Sequence, residues 1–186
     1  MTYAAGPDSE ELVGEALHIL RTQHNVMRED LFIQTKSVRP STSVHIDIRE
    51  NVTGFHCICR FTPMAGQDQT GPLPYDPSTR LETQIEDSFE NSLKNLRTTY
   101  IDSYILHSPL ETVSRTIAAW RVLMALQDSG KVKFIGVSNT YDVRILEALE
   151  DEGGRRVQVV QNRWFEGNDW DAKVFAYCKE RDVQYQ

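Results

Sequence analysis

Cysteine is scarce in this sequence and unevenly placed. Cys57, Cys59 and Cys178 are the three present, too few and too scattered for a disulfide framework, and they fit a reducing compartment with the cytoplasm as the expected location. Long apolar runs are missing as well. Nothing approaches the ~20 residues that span a bilayer. Residues 1–20 show no basic start followed by an apolar block, so neither a membrane anchor nor a secretory signal is expected. Asn51-Val52-Thr53 has the form of a glycosylation acceptor, which without such a signal is read as coincidence. Positive charge is in deficit: 20 Lys and Arg against 27 Asp and Glu leave a net −7, which argues against nucleic acid or an anionic membrane as a partner. No glycine-rich phosphate loop follows any strand-like run. No carboxylate pair or nucleophile–base pair stands at a strand end, so hydrolysis is not indicated.

What is present is an ordinary globular composition, 40% hydrophobic and 25% charged over 186 residues, enough for one domain with a sizeable core. Asp8 or Ser9 can cap a first helix, in which Val13, Ala16, Leu17 and Leu20 repeat at helical spacing behind the acidic Glu10 and Glu11. Leu31–Thr35 reads as an apolar strand ending in Lys36. From Ser37 to about Thr79 the rhythm stops, in a proline-rich stretch far longer than the ~2–6 residues usual between α/β elements. Within it, Val44–Ile48 and Thr53–Cys59 alternate, which admits a hairpin around Arg49–Asn51.

The rhythm returns at Leu81. Ile85, Phe89, Leu93 and Leu96 mark a helix, and Tyr100–Leu106 is a strand apolar enough to be buried on both faces. Val113, Ile117, Trp120 and Met124 mark the next helix, closed by Gly130. Then follow a strand over Val132–Val137, a helix from Asp142 to Gly153-Gly154, a strand over Val157–Gln161, a helix from Trp170 to Arg181, and the start of a strand at Asp182–Gln186. Alternation of this kind means parallel strands with helical crossovers. An open doubly wound sheet and a (β/α) barrel compete. The strands end in single polar signatures, Lys36, His107, Ser138-Asn139 and Gln161-Asn162, as a barrel active site does, and a barrel is expected.

Each signature has a plainer alternative. Lys36 can be a surface lysine in an ion pair, and His107 can cap its strand and bond a backbone group. Taken together, the hydroxyl and amide groups of Ser138, Asn139, Gln161 and Asn162 suit a polar planar group such as a carboxamide, and His107 suits proton transfer. A metal site from His45, His56, Cys57 and Cys59 lacks the ligand spacing of zinc sites, and no metal is expected.

Five co-linear segments, SEELVGEAL, REDLFIQTK, SLKNLRTTYIDSYILHSP, ALQDSGKVKFIGVSN and VVQNRWF, resemble those of the aldo-keto reductase family, in that family's order. The likeness covers nearly everything except roughly residues 37–60. It implies a (β/α)8 TIM barrel that uses NADPH to reduce a small aldehyde or ketone to an alcohol, reversibly. It also implies roles for particular residues. Tyr3 matches the proton-donating tyrosine, Lys36 the lysine whose cation favours the phenolate, and His107 the histidine that orients the carbonyl. Ser138, Asn139 and Gln161 match the positions that hold the nicotinamide carboxamide.

Against that pattern the sequence holds about five of the eight strands. It is therefore read as one incomplete barrel domain over residues 1–186, truncated at both ends. Residues 37–60 are an atypical insert expected to be irregular or disordered. Joining Lys36 directly to Phe61 gives LFIQTK-FTPMAGQD, which reads as an unbroken member of the family, so the insert resembles translated intron. A spliced transcript that still encodes Ser37–Arg60 would overturn this. The alternative expectation is a catalytically inactive fragment acting through its open sheet edges, by binding a partner or by self-association.

Overall fold

The structure is a computed structural model and describes residues 9–33, 59–61 (backbone only) and 73–186. Its helices and strands alternate: α1 (Ser9–His24), β1 (Cys59–Phe61), α2 (Leu81–Asn95), β2 (Ile101–Leu106), α3 (Val113–Asp128), β3 (Val132–Ser138), α4 (Val143–Asp151), β4 (Val159–Gln161), α5 (Ala172–Glu180) and β5 (Gln184–Tyr185). The five strands form one sheet in the order β1-β2-β3-β4-β5, with every neighbouring pair parallel. Each helix packs against the next in chain order.

β2 is the centre of gravity. All six of its residues are buried, and Ile101, Tyr104 and Leu106 join Ile33, Phe89, Leu96, Trp120, Ile135 and Val160 in one core. Phe89 of α2 meets Tyr104 of β2 edge to face, with ring centroids 5.0 Å apart. Local chemistry sets the helix starts. Thr112 caps α3 by accepting from Arg115 N at 3.2 Å, and Asp142 caps α4 by accepting from Arg144 N at 3.0 Å. Gly14 is needed where α1 crosses the end of α2, since a Cβ there would stand 1.9 Å from Asn95 O. Ser92 Oγ and Asn95 Nδ2 donate to the Glu10 carboxylate across the same contact, at 3.1 and 3.5 Å.

Two sequence-based boundaries need correction. The strand expected over Leu31–Thr35 is not a strand over Leu31–Ile33, and its last two residues lie outside the described set. The reason lies in Asp102. Its carboxylate Oδ2 accepts from Ile33 N at 2.8 Å, so that amide is drawn to a side chain instead of the β2 backbone. Ile33 O is then shared between Asp102 N and Ser103 N, at 3.2 and 3.3 Å. The strand that does pair with the end of β2 is Cys59–Phe61, so the last two residues of the expected insert, Cys59 and Arg60, stand in a sheet. The second correction concerns the helix expected from Trp170. α5 begins at Ala172, because Asp169, Trp170 and Asp171 all have positive φ, at 53°, 54° and 48°.

The expected hairpin around Arg49–Asn51 lies outside the described residues, as do His45, His56 and Cys57 of the metal alternative. Among the described residues no helix is long and apolar enough to cross a membrane.

Candidate active site at the strand ends

Parallel strands deliver their C-terminal residues to one edge, where the side chains escape the ladder and become available for chemistry. His107 follows β2, Ser138 ends β3 with Asn139 after it, Gln161 ends β4 with Asn162 after it, and Gln186 follows β5. Direct bonds knit these ends together. Asn139 Nδ2 donates to His107 O at 2.8 Å, joining β2 to β3. Asn139 N and Ser138 Oγ both donate to Gln161 O, at 3.2 and 2.6 Å, joining β3 to β4. Asn162 N donates to Gln186 O at 3.1 Å, joining β4 to β5. Asn139 reaches its two partners with φ at 50°, a left-handed conformation that asparagine tolerates better than most residues.

Four of the expected site residues, His107, Ser138, Asn139 and Gln161, therefore stand together. Tyr3 and Lys36 lie outside the described residues. Beside the end of β2, the β1 backbone pairs Arg60 with Ile105 and Phe61 with Leu106.

One atom of the group is conspicuous. Gln161 Oε1 is buried and accepts no hydrogen bond among the described residues, while its Nε2 is 3.5 Å from Gln186 Oε1. A buried carbonyl oxygen without a donor costs about 1–3 kcal/mol, and such groups call for an explanation. A ligand amide N–H would supply the missing donor. The residues present thus fit a carboxamide-bearing cofactor.

Behind these ends lies a second polar layer that sequence reading did not foresee. Asn162 Oδ1 accepts from Thr140 N at 2.9 Å, and its Nδ2 donates both to Thr140 O at 2.8 Å and to Asp171 Oδ2 at 2.7 Å. The Tyr185 hydroxyl donates to the same Asp171 oxygen at 2.9 Å. Burial, and then the Asp171 carboxylate, push the Tyr185 phenol above its ordinary range. The left-handed run that carries Asp171 contains no glycine, and each such residue costs about 1–2 kcal/mol. The only sequence signal for this layer is Asn162 itself, a polar residue directly after an apolar strand.

Cys178 lies under this layer, buried, with its thiol pushed up to about 12 chiefly by burial and secondarily by the Asp171 charge. Iodoacetamide at pH 8 is therefore expected to leave Cys178 unmodified in the native protein and to label it on unfolding. An unfolded thiol ionises near 9.0 whereas the native one stays protonated to about 12, so above pH 9 the unfolded chain holds fewer protons. This group's contribution to stability is constant below pH 9 and falls as pH rises toward 12. Chemical denaturation at pH 8, 9.5 and 10.5 checks the sign.

Comparison with known proteins gives the same direction as the geometry. A model of the aldo/keto reductase family matches residues 2–185. Methylglyoxal reductase DkgA of Salmonella typhimurium is 38% identical over 68 residues, which cover 37% of this chain and 24% of that protein. The NADPH-dependent alpha-keto amide reductase of Saccharomyces cerevisiae is 32% identical over 117 residues, 59% of this chain and 36% of its own. Among solved structures, an aldo/keto reductase from Brucella melitensis superposes with a TM-score of 0.65 at 22% identity, over 95% of this chain and 51% of that one. An aldo-keto reductase of Bombyx mori in complex with NADP gives 0.63 at 18%, over 95% and 47%. The chain spans roughly half the length of those solved relatives, and its sheet is part of a (β/α)8 barrel. With a family model matching nearly every residue and the fold in agreement, the chain belongs to the aldo/keto reductase family.

Proposed function

We propose that the protein is an NADP(H)-dependent oxidoreductase that reduces aldehyde or ketone groups of small molecules to alcohols. The observation that carries this reading is the buried Gln161 Oε1 beside Ser138 and Asn139, without a partner among the described residues and an acceptor suited to a carboxamide N–H. The names of the relatives, a methylglyoxal reductase and an NADPH-dependent alpha-keto amide reductase, support small carbonyl compounds as the substrate class.

When bound, the nicotinamide supplies a hydride, and the chain supplies placement and the proton. Ser138, Asn139 and Gln161 would hold its carboxamide. Asn139 also bonds the backbone of His107, so one residue couples the cofactor position to the carbonyl-orienting one. The His107 side chain orients the substrate oxygen and shares the charge that develops on it. Tyr3 gives that oxygen its proton, and the Lys36 cation makes a phenol of pKa ~10 a usable acid-base by favouring the phenolate.

A second reading, that the chain binds cofactor without turnover, is favoured by the register of β1. The β1 backbone position opposite Ile105, beside the end of β2, is held by Arg60. Thermal unfolding with and without NADPH, followed by NADPH oxidation at 340 nm with a simple aldehyde, separates the two. A midpoint raised by NADPH together with turnover supports the enzyme, with His107→Ala and Tyr3→Phe each expected to lower the rate about a hundredfold. A raised midpoint without turnover supports the second reading. Turnover that survives both substitutions would refute the residue assignment.

A further inference from the structure

An aspartate directly before the first residue of a helix is among the best N-caps, because its carboxylate can accept the free N–H groups of the first turn. Asp171 has that place ahead of Ala172, yet its side chain makes no capping bond. It is turned away, into the strand ends, where it is 5% exposed and its Oδ2 accepts from both Asn162 Nδ2 and the Tyr185 hydroxyl. The backbone reaches this arrangement through three successive left-handed residues. Strain of this kind persists only where the surroundings over-determine it, and it gathers at functional sites.

The bonding pattern says what the carboxylate achieves. Asn162 bridges β4 to the Thr140 backbone through both ends of its amide. An ionised carboxylate is acceptor-only, so it selects the NH2 side of that amide and prevents the flipped orientation. Thr140 directly follows Ser138 and Asn139, and Asn162 directly follows Gln161. Tyr185 brings β5 to the same oxygen. We propose that Asp171 is a positioning residue for the cofactor site. Through Asn162 and Tyr185 it fixes the ends of β3, β4 and β5 against one another, and so aims Ser138, Asn139 and Gln161 at a carboxamide. The inference rests on the reading of these three residues proposed above.

The test uses the full chain and two probes, NADPH and its analogue with an acetyl group in place of the carboxamide, titrated by quenching of tryptophan fluorescence. The native protein is expected to bind NADPH about tenfold more tightly than the acetyl analogue, as one amide donor to Gln161 requires. Asp171→Gly removes the carboxylate while relieving a positive φ, and is expected to bring the two affinities within about twofold. Asp171→Asn, which keeps an acceptor oxygen, is expected to restore most of the preference. A purely structural role would lower the unfolding midpoint and leave the ratio alone, so a folded Asp171→Gly protein that keeps the tenfold preference overturns the proposal. Should Asp171→Gly prove unfolded by circular dichroism, Tyr185→Phe carries the test, with the preference expected to fall to about threefold and an unchanged ratio refuting it. If the native protein itself binds neither probe, or binds both equally, the carboxamide reading of Ser138, Asn139 and Gln161 fails, and the role of Asp171 falls with it.

Discussion

Replacing Trp120 with alanine is expected to lower stability by about 4 kcal/mol, a large share of what a domain of this size possesses. Trp120 lies in α3 with none of its surface exposed. Its ring is clamped from the far side by the end of α4, where a Cβ on Gly153 would stand 2.9 Å from Trp120 Cδ1 and 2.3 Å from Leu149 O. The indole packs directly on the Gly153 backbone, which has no side chain to move into the space a lost indole leaves. The indole Nε1 also donates to Arg155 O at 2.8 Å, so the alanine variant deprives that carbonyl of its donor. Trp120→Phe keeps most of the packing and loses only this bond, and about 1–2 kcal/mol is expected. Urea unfolding followed by circular dichroism measures both, and a loss under about 1 kcal/mol for Trp120→Ala would contradict the packing described. The other two tryptophans, Trp164 and Trp170, are 61% and 47% exposed, so the same substitution should remove the blue-shifted part of the native emission.

Asp102→Ala is the second large effect, about 3 kcal/mol. Asp102 is 2% exposed at the second position of the fully buried β2, a place that a carboxylate tolerates only with partners. Arg28 NH2 stands 2.7 Å from Oδ2 and Lys133 Nζ 2.7 Å from Oδ1. Arg28 spends its other donors on Leu31 O, Tyr100 O and Thr98 Oγ1, and its guanidinium lies 3.8 Å from the Tyr100 ring centroid. Removing the carboxylate leaves a partly buried guanidinium and the Ile33 amide without their acceptor. Lys133 is half exposed and recovers its solvation, which holds the expectation to the lower end of the range for breaking a buried pair. Asp102→Asn retains one acceptor oxygen and should fall between alanine and native. Equal stability of all three proteins would show that the cluster contributes nothing net.

Much of the fold was legible because its signals are local. The spacing of Ile85, Phe89 and Leu93, or of Ile117, Trp120 and Met124, specifies a buried helix face without knowledge of the partner. The polar residues after β2, β3 and β4 were legible as strand ends, and the parallel sheet brings them to one edge. The parts that escaped depend on long-range choices. Nothing near Ile33 reveals that its amide will bond a carboxylate from β2, so the strand boundary there was misplaced. Nor does the sequence around Asp169–Asp171 show a left-handed turn, for the glycine that usually marks one is absent and Gly167 precedes it. Asn162 was visible as a strand-end polar residue, but Thr140 and Asp171, which give it its orientation, lie on other segments.

The order β1-β2-β3-β4-β5 has a consequence for how the chain acquires its shape. From β3 onward each strand pairs with the one made just before it, at register separations of 31, 23 and 25 residues (Tyr104 with Ile135, Gly136 with Val159, Val159 with Gln184), so each new pairing closes a short loop. Such a chain can build outward as it leaves the ribosome, each strand and helix docking on a finished edge. β1 is the exception. Its first residue, Cys59, pairs with Tyr104, 45 positions later, so among the described strands β1 waits longest for its partner during synthesis.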